Sequence, residues 1–302
     1  MKEILLRLNE QLSNRVLAGV SLAPYTSFKI GGPAEFFFTA LNVEDMVAAV
    51  HAARAVGIPY FLLGGGTNLW ISDMGIRGLV IRNQAREIIF DDEKALCDSG
   101  VAWGLLTAKA HQRGLVGMES LAHVPGTIGG AVRGNSGSFR KETKDLVTRV
   151  LALRGNNAEW INAQECGFAY RHSVFKTNDW IVLRVELQLA RGDVAKSKQE
   201  IAGYLEYRRR TQPLDMPCPG CMFKNPDAEH GVFSSKLIDE LGLKGLTVGN
   251  ARVSHKHANF IENLGGARSQ DVCELVRQIK QRVFEQRNIM LEEEVVKAGF
   301  ET

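Results

Sequence analysis

Two glycine-rich segments hold the residues most suited to gripping an anion. Gly64-Gly65-Gly66-Thr67-Asn68 follows the apolar run Tyr60-Phe61-Leu62-Leu63. Val124-Pro125-Gly126-Thr127-Ile128-Gly129-Gly130-Ala131-Val132 leads into Gly134-Asn135-Ser136-Gly137. Without a Cβ the backbone can approach a ligand closely, and successive N–H groups can cradle a phosphate. The first segment has no lysine for a Walker A loop, and Leu69 stands where a dinucleotide fingerprint needs its third glycine. Taken singly it is a turn or a ligand loop. The two segments together suggest a diphosphate held by backbone amides, against the plainer reading of two tight turns.

Two polar clusters could act on a substrate. Tyr170-Arg171-His172-Ser173 sets an arginine among aromatic residues. Arg171 is either a structural ion-pair partner or a fork for a carboxylate. Gly220-Cys221-Met222-Phe223-Lys224-Asn225-Pro226 joins a hinge, a titratable thiol, a cation and an amide. The thiol is an acid, a nucleophile or inert core. Cys218-Pro219-Gly220-Cys221 has C-x-x-C spacing, yet no second pair exists for a zinc ribbon, and it follows prolines rather than opening a helix. Lys256 separates His255 from His257, and no third ligand is evident, so no metal site is expected.

The elements that must position these residues alternate in type. Val43, Met46, Val47, Val50 and Ala53 recur at helical spacing between a cap at Asn42 and a stop at Gly57. Strands are predicted at 60–63 and 78–81, and a helix ends at Gly114. From Ile181 to Leu189 the odd positions are apolar while Arg184, Glu186 and Gln188 take even ones, which predicts a strand with one wetter face. A helix runs to Arg208-Arg209-Arg210 and stops before Pro213. Another starts at Ser269 and should bury Val272, Leu275, Val276, Ile279, Val283 and Phe284. The change of character near 190–193 places a domain boundary near residue 195.

Composition narrows the function classes. With 37 Lys+Arg against 34 Asp+Glu in 302 residues, the net charge of +3 gives no broad basic surface for nucleic acid or membrane. No apolar run approaches the ~20 residues of a membrane span. The first residues, Met1 to Arg7, mix acidic and basic side chains where a signal peptide needs an apolar core. Five scattered cysteines give no disulfide framework. A cytoplasmic protein is expected.

Seven ordered motifs resemble one family. They are Thr26-Ser27-Phe28-Lys29-Ile30-Gly31-Gly32, the Gly64 to Asn68 loop, Pro125 to Ala131, Tyr170 to Phe175, Arg209 to Pro213, Phe223 to Pro226, and Lys256-His257-Ala258-Asn259-Phe260. Spread over about 20–296, they are similar to the UDP-N-acetylenolpyruvoylglucosamine reductase (MurB) family, in its shorter subclass. The resemblance implies an α+β fold: a vanillyl-alcohol-oxidase-like (PCMH-type) FAD-binding domain and a smaller α+β substrate domain. These would span 1–195, split near 85, and 196–302, with 291–300 returning to the active site.

The resemblance also implies an activity and its residues. NADPH would reduce noncovalent FAD, and the enolpyruvyl group of UDP-N-acetylglucosamine enolpyruvate would then be reduced to UDP-N-acetylmuramate. Gly64, Gly65, Gly66, Thr67, Asn68, Leu69, Pro125, Gly126, Thr127, Ile128, Gly129, Gly130 and Ala131 would hold FAD. Arg171 and Glu294 would stabilise the enolate-like charge, and Tyr170, Arg208, Lys224 and Asn225 would hold the substrate. The usual proton donor is a serine, and here Cys221 takes its place. A thiol, with a reference pKa of ~8.5, is a stronger acid than an alcohol, so Cys221 is expected to keep the role. Glu293 replaces a usual proline, Val296 replaces a frequent arginine, and His255 stands where an acid is frequent. A monomer is expected. Competing readings are a flavin oxidase or dehydrogenase of the same fold and a noncatalytic sugar-nucleotide binder, which flavin absorbance and NADPH dependence would separate.

Overall fold

Local signals set the first long helix of the fold. The computed structural model describes residues 1–300. Helix Val43–Val56 begins where the Asn42 side chain accepts the Asp45 N–H at 2.7 Å, and Gly57 ends it at φ 76°. Val43, Met46, Ala49, Val50, Ala52 and Ala53 form its buried stripe. Such a cap contributes about 1 kcal/mol.

The chain folds into two compact units. The first comprises Met1–Ala18, Phe36–Gly65 and Gly78–Glu206; the second comprises Gly19–Glu35, Gly66–Arg77 and the chain from Tyr207 onward. In the first unit, Tyr60–Leu63 pairs in parallel with Ile76–Asn83, from Tyr60 opposite Leu79 to Leu63 opposite Arg82. A five-stranded antiparallel sheet has the order Asn157–Asn162, Val147–Arg154, Ile181–Gln188, Lys94–Asp98, Ile88–Asp91. One core gathers Leu8, Phe36, Phe38, Met46, Leu79 and Ile81. Another gathers Trp103, Leu106, Leu121, Ile128, Val150 and Val185.

The Ile181–Gln188 strand buries its odd positions and leaves Gln188 exposed and Arg184 half-buried on the other face, so of the polar positions only Glu186 departs from the expected wetter face. Glu186 is 8% exposed, accepting the Thr148 hydroxyl at 2.7 Å and two Arg149 N–H groups at 3.1 and 2.7 Å. Arg184 donates to Asp98 and Glu87 at 2.9 and 2.8 Å. Both charged side chains are therefore paired along a strand that is covered on most positions. Burial pushes the Glu186 carboxyl up, but Thr148, Arg149 and Lys94 hold it below the usual range. A carboxyl depressed on folding stabilises fully above its ordinary pKa of about 4.3 and loses that contribution as pH falls through the lower folded value. Glu186→Gln should therefore flatten the acid limb of a Tm-against-pH curve below about pH 4. An unchanged acid limb would show that the pair contributes nothing to it.

In the second unit, Thr247–Val248, Ala251–Val253 and Ile261–Asn263 form an antiparallel sheet. Val296–Ala298 pairs in parallel with Leu69–Ile71. Helix Ser269–Arg287 starts on a cap remote in sequence: the Asp73 carboxylate accepts the Ser269 N–H at 2.9 and 3.0 Å, and Ser269 Oγ accepts the Asp73 N–H at 3.0 Å. The helix buries Val272, Leu275, Val276, Ile279 and Val283 as expected, but Phe284 is 46% exposed. Phe284 lies at the edge of the apolar stripe, outside the core formed with Phe28, Trp70, Met222, Phe223 and Ile238. The helix expected to stop before Pro213 spans Val194–Thr211. Among the described residues no helix is long and apolar enough to cross a membrane.

Candidate functional site

Gly64 and Gly65, the start of the first glycine loop, meet the second loop in the first unit. A Cβ on Gly65 would lie 2.6 Å from Gly126 Cα, and one on Gly64 would lie 2.8 Å from Thr127 Oγ1. The missing side chains are thus used, in part, to let one loop lie directly on the other. Thr127 caps helix Ile128–Gly134, its Oγ1 accepting the Gly130 N–H at 3.4 Å. Ile128 and Gly129 donate their N–H groups to Val101 O and Ser99 O at 2.7 and 2.8 Å. Two amides of the second loop therefore point inward and that of Gly130 meets the exposed cap, while those of Gly126 and Thr127 stay outside this network. A Cβ on Gly130 would meet nothing nearer than Thr127 Oγ1 at 3.6 Å. Such a backbone has the chemistry that a diphosphate of a dinucleotide cofactor requires.

The same short helix braces the arginine cluster. Ala169 and His172 exchange two backbone hydrogen bonds of 3.1 Å, which makes Tyr170-Arg171 the corner of a tight turn. Arg171 has φ 54°, a region that side chains other than glycine avoid. The turn is held by Asn135, whose Nδ2 donates to Ala169 O at 3.1 Å, and by Lys176, whose Nζ donates to Arg171 O at 2.6 Å. Ser173 Oγ donates to Arg133 O at 2.8 Å. The Arg171 guanidinium sits 5.1 Å from the centre of the Tyr170 ring, which is 43% exposed. Asn135, fully buried, and Arg133 both belong to the end of the helix that follows the second loop.

In the second unit, residues of four motif regions come together: Ser27, Gly66 with Asn68, Lys224 and Phe260. Ser27 donates its N–H to Gly66 O at 3.0 Å and its hydroxyl to Cys218 O at 2.7 Å. Gly220, at φ 90°, turns the chain into Cys221, which pairs with Phe260 as an isolated bridge. Glu294 donates its N–H to Met222 O at 2.8 Å, and Lys224 donates its N–H to Glu292 O at 2.9 Å. Asn68 Nδ2 donates to Glu294 O at 3.2 Å, and Val296 N–H donates to Asn68 O at 3.1 Å. Cys221 and Glu294 therefore sit on adjacent extended segments.

The three consecutive glutamates separate by partner. Glu292 pairs with Lys224 Nζ at 2.9 Å, and Glu293 pairs with Lys280 and Lys297 at 3.2 and 3.4 Å. Burial pushes the Glu293 carboxyl up, but a backbone hydrogen bond and the two lysines leave it below the usual range. Lys224, expected at the substrate, is thus shared with Glu292. Asn225 Oδ1 accepts the Ser234 N–H at 3.2 Å. Arg208 Nε donates to Gln212 Oε1 at 3.1 Å. Burial lowers the Arg208 pKa, and the nearby Cys221 opposes that shift, so the two side chains feel each other's charge.

Asn259 had no role in the sequence reading, although it lies within a quoted motif. It is 3% exposed and hydrogen-bonds both backbone groups of Phe223, whose N–H donates to Oδ1 at 2.9 Å and whose O accepts from Nδ2 at 2.8 Å.

Comparisons with known proteins show the family and the fold. The family model for the UDP-N-acetylenolpyruvoylglucosamine reductase C-terminal domain matches residues 212–297. The FAD binding domain model matches residues 34–163. A UDP-N-acetylenolpyruvoylglucosamine reductase from Anaeromyxobacter sp. (strain Fw109-5) is 38% identical over 97% of this chain and 91% of its own. One from Caldanaerobacter subterraneus subsp. tengcongensis is 37% identical over 91% of each chain. The crystal structure of the Thermus caldophilus enzyme (MurB) has a TM-score of 0.79 at 35% identity, covering 94% of this chain and 98% of that one. Phl p 4.0202, a glucose dehydrogenase, shares the fold alone, with a TM-score of 0.51 at 14% identity over 96% of this chain and 60% of that one. The expected family and the expected FAD-binding fold both hold, and the chain belongs to the UDP-N-acetylenolpyruvoylglucosamine reductase family.

Proposed function

We propose that this chain reduces the enolpyruvyl group of UDP-N-acetylglucosamine enolpyruvate to UDP-N-acetylmuramate, using noncovalent FAD and NADPH. Flavin binding is assigned to residues within 1–195 and substrate binding to 196–302. The observation that carries this reading is the Cys221 segment lying beside the Glu294 segment, joined by the 2.8 Å bond from Glu294 N–H to Met222 O. It supports a proton donor and a carboxyl group acting on one substrate. The same reading makes the enzyme a cytoplasmic monomer.

The flavin, when bound, supplies hydride from NADPH to the terminal vinyl carbon. The electron pair of the C=C bond then moves onto the carbon beside the carboxylate. A cation and hydrogen-bond donors set in advance lower that charge's energy. Arg171 is assigned the cation role, its turn being braced at the backbone by Asn135 and Lys176. Glu294 is assigned a hydrogen-bond role toward the developing charge, in its acid form or through a water. Cys221 gives its proton to the carbanionic carbon, and the thiolate left behind regains one from solvent. Tyr170, Arg208, Lys224 and Asn225 are assigned to the substrate, Arg208 to its diphosphate and Lys224 and Asn225 to its uridine or phosphate end. For Lys224 this means exchanging Glu292 for a phosphate.

The test is a pair of anaerobic half-reactions. NADPH should bleach the flavin band, and the enolpyruvyl sugar nucleotide should restore it faster than air does. A colourless protein, or reoxidation by air that outruns the sugar nucleotide, would overturn the reading.

A further inference from the structure

We infer that Asn259 is a positioning residue for proton transfer: its side chain holds the Cys221 segment in register with the Glu294 segment. The inference rests on the reduction proposed above and adds a residue to its machinery. Residues 221–224 lie between two segments. On one side Glu294 N–H meets Met222 O at 2.8 Å and Lys224 N–H meets Glu292 O at 2.9 Å. On the other side Met222 N–H meets Asn259 O at 2.8 Å, and Cys221 faces Phe260.

Beyond that bridge no backbone group serves Phe223 on the Asn259 side; the Asn259 side chain does. Its Oδ1 takes the Phe223 N–H at 2.9 Å and its Nδ2 meets Phe223 O at 2.8 Å. One amide side chain thus stands in for a length of neighbouring strand. Phe223 is 1% exposed and Asn259 3%, so water cannot replace either bond. Both the donor and the acceptor of the amide are needed, which singles out asparagine among residues of this size. Cys221 lies two residues before Phe223, and Glu293 is bridged to Phe223 from the opposite side. A shift at Phe223 therefore displaces the thiol and the glutamate relative to each other.

Asn259→Asp in the flavin-loaded enzyme tests this. An ionised aspartate keeps the acceptor for Phe223 N–H but sets a second lone pair against Phe223 O. Burial against a carbonyl raises its pKa, and the acid form regains the donor. Relative to the unmodified enzyme at each pH, reoxidation by the enolpyruvyl sugar nucleotide should fall about 100-fold at high pH and recover as pH falls. Reduction by NADPH should change little throughout. Asn259→Leu should lose reoxidation at every pH; if it fails to fold, the aspartate variant carries the test alone. Equal losses in both half-reactions, or a ratio to the unmodified enzyme independent of pH, would overturn the inference. Failure of the unmodified enzyme to be reoxidised would instead overturn the proposed reaction.

Discussion

Cys221→Ala should slow reoxidation of the reduced flavin by the enolpyruvyl sugar nucleotide by about 10²- to 10⁴-fold, the range of a positioned general acid. Reduction by NADPH should keep its rate, because hydride delivery to the flavin needs no proton from this thiol. The argument rests on chemistry and place together. A thiol is a stronger acid than an alcohol, and Gly220 turns the chain so that Cys221 follows directly beside the glutamate segment. Cys221→Ser should recover part of the lost rate, since the hydroxyl keeps a proton to give. Stopped-flow absorbance of the flavin band reads both half-reactions. If the alanine variant reoxidises at the original rate, water is the donor and the thiol has no part in the step.

Gly65→Ala should strip the protein of flavin. Its new Cβ would lie 2.6 Å from Gly126 Cα, a backbone atom that no rotamer change can move aside. Overpacking of this kind costs about 1–3 kcal/mol, or roughly tenfold to a hundredfold in cofactor affinity if the loops part to relieve it. Gly130→Ala makes the useful comparison. Its Cβ would meet nothing of the protein nearer than 3.6 Å, so the flavin-free protein should keep its Tm or gain slightly. A lower flavin affinity in Gly130→Ala at unchanged Tm would then mark that face as cofactor-lining. Full flavin occupancy in purified Gly65→Ala would sink the cradle described here.

What could be read in the sequence was whatever depends on near neighbours. Helix Val43–Val56 carries its cap, its stripe and its terminal glycine within a dozen or so residues, so its bounds follow from pattern. The strand at 181–188 discloses its buried odd face but not what covers Glu186 on the other. Glu186 looks like a solvent-facing residue until Thr148 and Arg149, on a neighbouring strand, are brought to it. The partners of the three consecutive glutamates are likewise not legible locally, since Lys280, which pairs with Glu293, reaches it from the preceding helix. Phe284 fits the helical period but lies just past the covered stripe. Asn259 is the sharpest case. Its side chain serves a backbone 36 positions away, and nothing in local spacing announces a partner at that range.

The pairing of Asn68 with Glu294 links positions 226 apart. Together with the parallel strands Leu69–Ile71 and Val296–Ala298, it gives the protein an order of assembly. During synthesis the chain around residue 68 leaves the ribosome long before its partner exists. The strand at 69–71 must then wait with an unpaired edge while most of the protein is made. Contacts of such sequence separation form late in folding. Any catalytic function that needs Glu294 therefore switches on as a final event, and a nascent chain can fold its earlier cores without yet being able to act.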